Sequence, residues 1–342
     1  MSNAALDVVD LRSDTVTRPT AGMRQAMVSA ELGDDVFGDD PTVNRLQDMA
    51  AERLNKSFAM FVPSGTMANQ IAIALHTRPG DAVVVESGAH PFNYEAGAAA
   101  VISGASLIPV SGERGLLSLS SVRGCFHNPD PHIAPVQLVC AEDTANRGGG
   151  TVYPLELLDG VARVGREGGA AMHLDGARLF NAAVASGVDV DRRTQAYDTV
   201  SICLSKGLGA PVGSLLFGPL EMKERAWRMR KALGGGMRQV GILAAAGLYA
   251  LEHHVDRLAD DHRRCRELGR GLKALGCSVN DPETNMVYVQ VPDASSVVDR
   301  MKQEGVWAIA LSATDIRMVV HLDVDDAGIA RAVEAVAKAL RG

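Results

Sequence analysis

The chain has 342 residues, of which 46% are hydrophobic and 22% charged, and its formal net charge is −7 at pH 7. This length is enough for two domains with substantial cores, and the acidic balance argues against nucleic acid or an anionic membrane as a partner, because either would normally require a basic face. The amino terminus lacks the pattern of a secretory signal, and no window is long and apolar enough to span a membrane, which predicts a cytoplasmic protein.

Short apolar runs alternate with helical patterns over the first 250 residues. Such runs, rich in β-branched residues, are typical of strands buried on both faces. They cover residues 58–63, 81–86, 105–110, 136–142, 170–175, 199–205 and 213–218. The stretches between several of them, such as 65–77 and 154–168, have the apolar spacing of helices. The alternation predicts an α/β fold with a mainly parallel central sheet.

The pattern changes at about residue 237, where a long helical stretch begins. Strand and helix patterns follow it up to the carboxyl terminus, which predicts a smaller α+β domain joined to the first through the helix. We therefore expect a large α/β domain over residues 1–250 and a small C-terminal α+β domain over residues 251–342.

Five cysteines are scattered along the chain without CxxC spacing. Their odd number favours reduced thiols over a disulfide framework. Neither their spacing nor any other pattern supports a metal site, so we expect none.

A possible phosphate site follows the first long apolar run. Ser64, Gly65 and Thr66 stand between that run and a predicted helix. Ligands in open α/β sheets bind beyond the carboxyl ends of the strands, and the free amides of a helix start can hold a phosphate there. A capped helix with nothing bound is equally compatible with so short a motif.

Two further strand ends carry complementary chemistry. Asp175 ends the run 170–175 and is followed by Arg178, and Lys206 stands between the run 199–205 and a glycine-rich turn, where a lysine is expected inside the fold. A lysine, a carboxylate and a phosphate cradle at one sheet edge are what pyridoxal 5′-phosphate (PLP) requires. The lysine forms an aldimine with the cofactor, and the aspartate keeps the ring nitrogen protonated. The residues therefore predict a PLP enzyme.

The sequence resembles the L-threonine aldolases, a branch of the fold-type I PLP-dependent enzymes and of the β-eliminating lyase superfamily. The resemblance spans nearly the whole chain in order. It is carried by DLRSDTVTRPT (10–20), GDDVFGDDPTVNRLQ (33–47), PSGTMANQ (63–70), HLDGARLFNA (173–182), SICLSKGLGAPVGSLL (201–216), RMRKALGGGMRQ (228–239) and VHLDV (320–324). The segments around Lys206 and GGGMRQ are the most specific of these.

The resemblance implies roles around the cofactor. Lys206 would be the Schiff-base lysine and Asp175 the partner of the pyridinium nitrogen, while His90 would stack on the ring. The remaining residues that it implies near PLP are Gly65, Thr66, Arg178, Lys231 and Arg238. The last of these is expected to reach across a subunit interface, so that a homotetramer built as a dimer of dimers is implied.

The resemblance also implies how the substrate is held. Ser13, Arg178 and Arg317 would bind its carboxylate. From the residues alone, Arg317 could instead be an edge-strand arginine that faces solvent, and His90 a packed loop residue.

The implied reaction is cleavage of L-threonine, L-allo-threonine or a related β-hydroxy-α-amino acid to glycine and an aldehyde, through a quinonoid. The expected substrates include amino acids with a bulkier β-substituent, such as phenylserine. His90, or an ordered water near it, is the expected base. The alternative is another PLP-dependent lyase or a racemase that acts on a different small amino acid.

Two positions depart from the family pattern on the expected substrate side. The segment EDTAN (142–146) has Ala145 where family members commonly carry histidine, and Phe37 replaces a commonly seen tyrosine. Both changes remove a polar group while sparing the cofactor set. We therefore expect PLP binding to be kept and discrimination at the β-carbon to be weakened.

Overall fold

The computed structural model describes residues 8–128 and 130–341. The strands are β1 (Val9–Asp10), β2 (Phe58–Val62), β3 (Ala82–Glu86), β4 (Ser106–Val110), β5 (Val136–Glu142), β6 (Ala171–Gly176), β7 (Thr199–Cys203), β8 (Ser214–Gly218), β9 (Ser278–Val279), β10 (Met286–Gln290), β11 (Val306–Trp307), β12 (Ile309–Ala310) and β13 (Asp315–Val319).

The predicted apolar runs form one seven-stranded sheet in the order β2-β8-β7-β6-β5-β3-β4. Only β8 runs antiparallel to its neighbours β2 and β7 within this sheet, so the prediction of a mainly parallel sheet is confirmed. Both faces of the sheet are covered. In β2, for example, Ala59 and Phe61 pack into one apolar cluster, whereas Phe58, Met60 and Val62 pack into another.

The helices are α1 (Ala21–Val28), α2 (Pro41–Arg53), α3 (Gly65–His76), α4 (His90–Asn93), α5 (Leu119–Arg123), α6 (Leu155–Glu167), α7 (Leu179–Ser186), α8 (Val190–Thr194), α9 (Lys223–Ala232), α10 (Gly241–His253), α11 (Leu258–Ala274), α12 (Ala294–Gln303) and α13 (Asp326–Arg341). Capping side chains fix several of their starts; the Ser64 hydroxyl, for instance, accepts from the Met67 amide at the start of α3. Within residues 8–128 and 130–341, no helix combines the length and the apolar character needed to cross a membrane.

A second, four-stranded sheet in the order β12-β13-β10-β9 lies in the C-terminal part. Its apolar side packs with α11, α12 and α13 into a separate core, as expected for a small α+β domain. Val9 and Leu11 belong to the same core, because β1 pairs in parallel with β11. The first described residues thus pack against the C-terminal part, and the division at residue 250 stays a prediction.

The long helical stretch predicted from residue 237 is two helices rather than one. It breaks between α10 and α11, where the His254 ring donates from Nδ1 to the Leu208 carbonyl at 2.7 Å. The break has a physical reason: α10 is buried around most of its surface in the large core, whereas α11 is amphipathic and packs in the second core. The chain must therefore change direction between them, and it does so beside the turn that follows Lys206.

Candidate active site

A cavity of about 480 Å³ opens at the carboxyl ends of the central strands of the large sheet, between that sheet and the C-terminal part. Six of the residues predicted for the site line it together: Ser13, His90, Asp175, Arg178, Lys206 and Arg317. A larger depression of about 760 Å³ surrounds the start of β5, at the amino-terminal end of this strand, and contains none of the predicted residues. The smaller cavity is therefore the candidate site.

Lys206 follows β7 and is half-buried, with its side chain at the cavity. Its carbonyl accepts from the Thr17 hydroxyl at 3.0 Å and from the Gly209 amide at 2.8 Å. Gly209 has φ +79°, and a Cβ built there would lie 2.5 Å from Leu322 Cδ2, so the turn requires glycine at this position. The sequence predicts a lysine inside the fold, whereas Lys206 is only half-buried, because its side chain faces the cavity.

Asp175 lies near the end of β6 and is buried. Its Oδ2 accepts from Asn69 Nδ2 at 2.8 Å, and its Oδ1 accepts from the Ala177 amide at 3.1 Å. The strand register places Asp175 beside Glu142 of β5 and Ser201 of β7. Glu142 and Asp175 line the cavity, whereas Ser201 lies in the middle of β7 and outside the cavity lining.

His90 begins α4 and lines the cavity. Its Nδ1 lies 2.8 Å from Oε1 of the buried Glu95, and its backbone amide donates to Glu142 Oε2 at 2.7 Å. Burial by itself lowers the pKa of His90, but the hydrogen bond to Glu95 and the charge of Asp175 outweigh it and raise the pKa above the usual value. Because Glu95 occupies Nδ1, Nε2 is the ring nitrogen left for chemistry.

Glu142 is a buried carboxyl at the cavity wall. Besides the His90 amide, it accepts from the Asn146 amide at 2.8 Å, so it joins the start of α4 to the loop after β5. Burial, followed by the negative charge of Asp175, raises the pKa of Glu142 to about 7. The cavity therefore contains a carboxyl group that changes charge near neutral pH.

Arg178 forms a buried bidentate ion pair with Asp14. Its Nε and Nη2 donate to the two Asp14 oxygens, each at 2.7 Å. Burial raises the pKa of the Asp14 carboxyl, but the Arg178 charge and hydrogen bonds outweigh it, and the pKa falls to about 2. The fork of Arg178 is thus fixed by Asp14, which leaves Nη1 as its remaining nitrogen for a ligand.

Arg317 lies on β13, which is flanked by β12 and β10, so the alternative of a solvent-facing edge-strand arginine is wrong. Its Nη1 donates to Asn146 Oδ1 at 3.3 Å and its Nη2 to the Arg12 carbonyl at 3.2 Å. Its buried Nε has no hydrogen-bond partner in the described part of the chain. A half-buried guanidinium with an unused donor at a cavity is suited to an anionic ligand.

The proposed phosphate cradle lies at the start of α3. A Cβ built on Gly65 would lie 2.7 Å from Cys203 Sγ, so no larger residue fits without rearrangement. Gly65 and Thr66 are outside the cavity lining, but Asn69, one helical turn later, contacts Asp175. The first amides of a helix lack intrahelical acceptors. The cradle and the amide that binds the Asp175 carboxylate are therefore carried by one helix, α3.

Lys231 and Arg238 are not brought to the cavity by this single chain. Both are exposed, and Arg238 pairs with Asp34 at 3.1 Å. Phe37 is also on the surface, 76% exposed, and away from the cavity lining. Ala145 is buried with its Cβ toward Gly115 and does not line the cavity. The roles of these positions stay predictions.

Sequence reasoning assigned no role to Asp14, Asn69, Glu95 or Glu142. Each lies within or beside a segment that carries the family resemblance or the predicted strand ends: Asp14 follows Ser13, Asn69 follows the phosphate motif, and Glu95 follows His90 by five residues. A charged or amide side chain inside such a segment is the sequence feature that could have indicated a role at the site. Their partners could not be read from the sequence, because Asp14 and Arg178 are 164 positions apart.

Replacing Asp14 with asparagine is expected to destabilise the protein by about 3–5 kcal/mol, because Arg178 would be left as a buried charge without its partner. The measurement is urea unfolding of wild type and variant as a function of pH. Since the pKa of Asp14 is lowered to about 2, its contribution to stability is present above the unfolded value near 4 and lost as pH falls through 2. A stability difference that stays constant from pH 7 down to pH 2 would contradict this assignment.

The chain matches known proteins over nearly its whole length. The model of the β-eliminating lyase family matches residues 10–294. The chain is 45% identical over 320 residues to the low specificity L-threonine aldolase of Escherichia coli strain K12, covering 93% of this chain and 95% of that protein. It is 42% identical over 333 residues to the probable low-specificity L-threonine aldolase 2 of Arabidopsis thaliana, covering 94% of each chain.

The architecture also matches a solved structure. Threonine aldolase of Leishmania major superposes with a TM-score of 0.85 at 20% sequence identity, covering 96% of this chain and 99% of that chain. This likeness confirms the predicted fold-type I architecture, with its mainly parallel sheet and smaller C-terminal part.

Proposed function

This chain belongs to the β-eliminating lyase family, and we propose that it is a PLP-dependent carbon–carbon lyase of the threonine aldolase type. Its substrates would be L-threonine, L-allo-threonine or a related β-hydroxy-α-amino acid, and its products glycine and an aldehyde. The observation that carries the proposal is the convergence of Lys206, Asp175 and His90 with two arginines on one cavity.

The residues at the cavity fit PLP. An amine, a buried carboxylate and an imidazole line the cavity, and a helix start too tight for any residue but glycine lies one turn from the carboxylate's partner. Lys206 Nζ would hold the aldehyde carbon, Asp175 the ring nitrogen, and the amides of Gly65 and Thr66 the phosphate. When bound, the cofactor provides a sink for the electrons of the bond that is broken at Cα.

The arginines and Ser13 would bind and orient the substrate carboxylate. Arg317 offers its unpaired Nε and Arg178 its remaining Nη1, while Asp14 prevents the Arg178 fork from turning away. A carboxylate fixed by planar donors orients the other substituents at Cα, which selects the bond that breaks. The two arginines lie on different parts of the chain, so ligand binding would join the large sheet to the C-terminal sheet.

His90 is the proposed acceptor of the β-hydroxyl proton. Glu95 fixes the ring through Nδ1, so the proton would be taken up at Nε2. The raised pKa strengthens this nitrogen as a base once it is neutral. Glu142 holds the His90 backbone and would keep the ring at the cavity wall.

A homotetramer, built as a dimer of dimers, is proposed for the assembly. The exposed cations Lys231 and Arg238 would complete the phosphate site of a neighbouring subunit. Two exposed apolar residues support a face that is covered in the assembly: Ile242, four positions after Arg238, and Phe37, two positions after Asp35, whose amide donates to the Arg238 carbonyl. A cytoplasmic location stays a prediction.

The test is a product assay on the PLP-loaded protein with L-threonine, L-allo-threonine and L-phenylserine. We expect glycine and the matching aldehyde in equal amounts from at least one of the three. Ammonia and a keto acid without glycine, or inversion at Cα without cleavage, would replace this proposal with the alternative of another PLP lyase or a racemase.

A further inference from the structure

Asn69 connects the two acidic groups beneath the cavity. It lies on α3 and is buried, and its Nδ2 donates to Asp175 Oδ2 at 2.8 Å and to Glu95 Oε1 at 2.9 Å. A side-chain amide nitrogen carries two hydrogens, so each carboxylate receives one. Glu95 Oε1 also accepts from His90 Nδ1 at 2.8 Å. One amide thus reaches both the proposed ring-nitrogen carboxylate and the proposed base.

The oxygen of the Asn69 amide also has two hydrogen-bond partners. Asn69 Oδ1 accepts from Ser201 Oγ at 2.8 Å and faces His173 Nε2 at 3.1 Å. Reversing the amide would place its oxygen against two carboxylates, which have no hydrogen to donate when ionised, so the observed orientation is the one that satisfies the site.

A row of buried side chains extends this arrangement away from the cavity. Burial lowers the pKa of His173 and of His76 to about 4, so both rings are neutral at pH 7. Since His173 Nε2 must donate to Asn69, its Nδ1 accepts from the Thr199 hydroxyl at 2.9 Å, and that hydroxyl accepts from His76 Nε2 at 3.0 Å. Every donor in the row therefore points toward the cavity.

The hydrogen-bond donors to Asp175 are uncharged groups. The side chain of Asp175 accepts hydrogen bonds from the uncharged Asn69 side-chain amide and from the Ala177 backbone amide. Among residues 8–128 and 130–341, no arginine or lysine side chain donates a hydrogen bond to it. Both donors are neutral, so neither of them places a positive charge beside the carboxylate. The side chain of Asp175 is therefore held in place without a competing cation among its hydrogen-bond partners.

We propose that Asn69 is a positioning residue that holds Asp175 as a fixed acceptor and, through Glu95, sets the orientation of His90. This inference rests on the proposed function. It predicts that Asn69 controls the electronic state of bound PLP, and not merely the stability of α3.

The experiment compares Asn69→Ala and Asn69→Asp with wild type and with Gln70→Ala. Gln70 is the matched control, because its Nε2 donates to Glu95 at 2.5 Å but does not contact Asp175. The readouts are the visible absorption of bound PLP as a function of pH, the dissociation constant for PLP, and the thermal midpoint of the PLP-free protein. We expect both Asn69 variants to shift the pH titration of the absorption band and to bind PLP roughly tenfold more weakly, while the titration of Gln70→Ala stays close to wild type because its contact with Asp175 through Asn69 is intact.

Asn69→Asp keeps the side-chain shape, so it tests the inference even where Asn69→Ala does not fold. Wild-type titration and affinity in either folded Asn69 variant would overturn the inference. So would unfolding of both while Gln70→Ala folds, because it would assign Asn69 a structural role. Failure of wild type itself to bind PLP would instead refute the proposed function.

Discussion

Replacing Lys206 with alanine is expected to lower turnover by about 10⁴-fold or more, because Lys206 would supply the covalent attachment of the cofactor. Lys206 Nζ has no hydrogen-bond partner among the described residues, so its removal orphans no buried group. We therefore expect the free energy of unfolding of the PLP-free protein to change little.

Turnover of the variant is measured together with chemical identification of the lysine that carries the cofactor. Borohydride reduction of the PLP-loaded wild type, followed by peptide mapping, is expected to locate the cofactor on Lys206. Lys302→Ala is the control, because Lys302 is exposed on α12 and distant from the cavity lining. Recovery of the reduced cofactor on any other lysine would refute the assignment.

Changing Asp175 to asparagine is expected to slow turnover by about 10²–10³-fold while PLP still binds through Lys206. The substitution removes the charge that keeps the ring nitrogen protonated. It also replaces one of two acceptor oxygens with a donor, so the contacts from Asn69 and the Ala177 amide cannot both be kept.

Turnover and the visible spectrum of the bound cofactor are the two measurements for this variant. A matched change at a buried aspartate outside the cavity is Asp143→Asn, which removes the partner of Arg193 without touching the cavity. Near-normal turnover of Asp175→Asn would mean that another residue holds the ring nitrogen.

The central sheet could be predicted from the sequence because its strands are buried on both faces. The run that became β3, for example, has four consecutive apolar residues before its terminal Glu86, and the end of such a run indicates where a ligand can lie. Lys206 and Asp175 were identified for this reason: each stands where an apolar run stops.

The contacts between distant segments could not be predicted in the same way. The pairing of Asp14 with Arg178 and the bridge from Asn69 to Asp175 join residues 164 and 106 positions apart. Composition and periodicity carry no information about such pairs. The break between α10 and α11 was missed because helical periodicity continues through it, while the change of direction is imposed by two separate cores.

The antiparallel strand β8 determines how freely the reactive lysine can move. Because β7 and β8 pair up to Cys203 and Ser214, residues 204–213 form the closed end of a hairpin set inside the sheet, with β6 on one side and β2 on the other. A crossover helix at this point would have left Lys206 at the start of a long connection. The hairpin restricts the backbone at both ends instead, so only the side-chain torsions of Lys206 remain to be ordered when its amine reaches the reaction geometry.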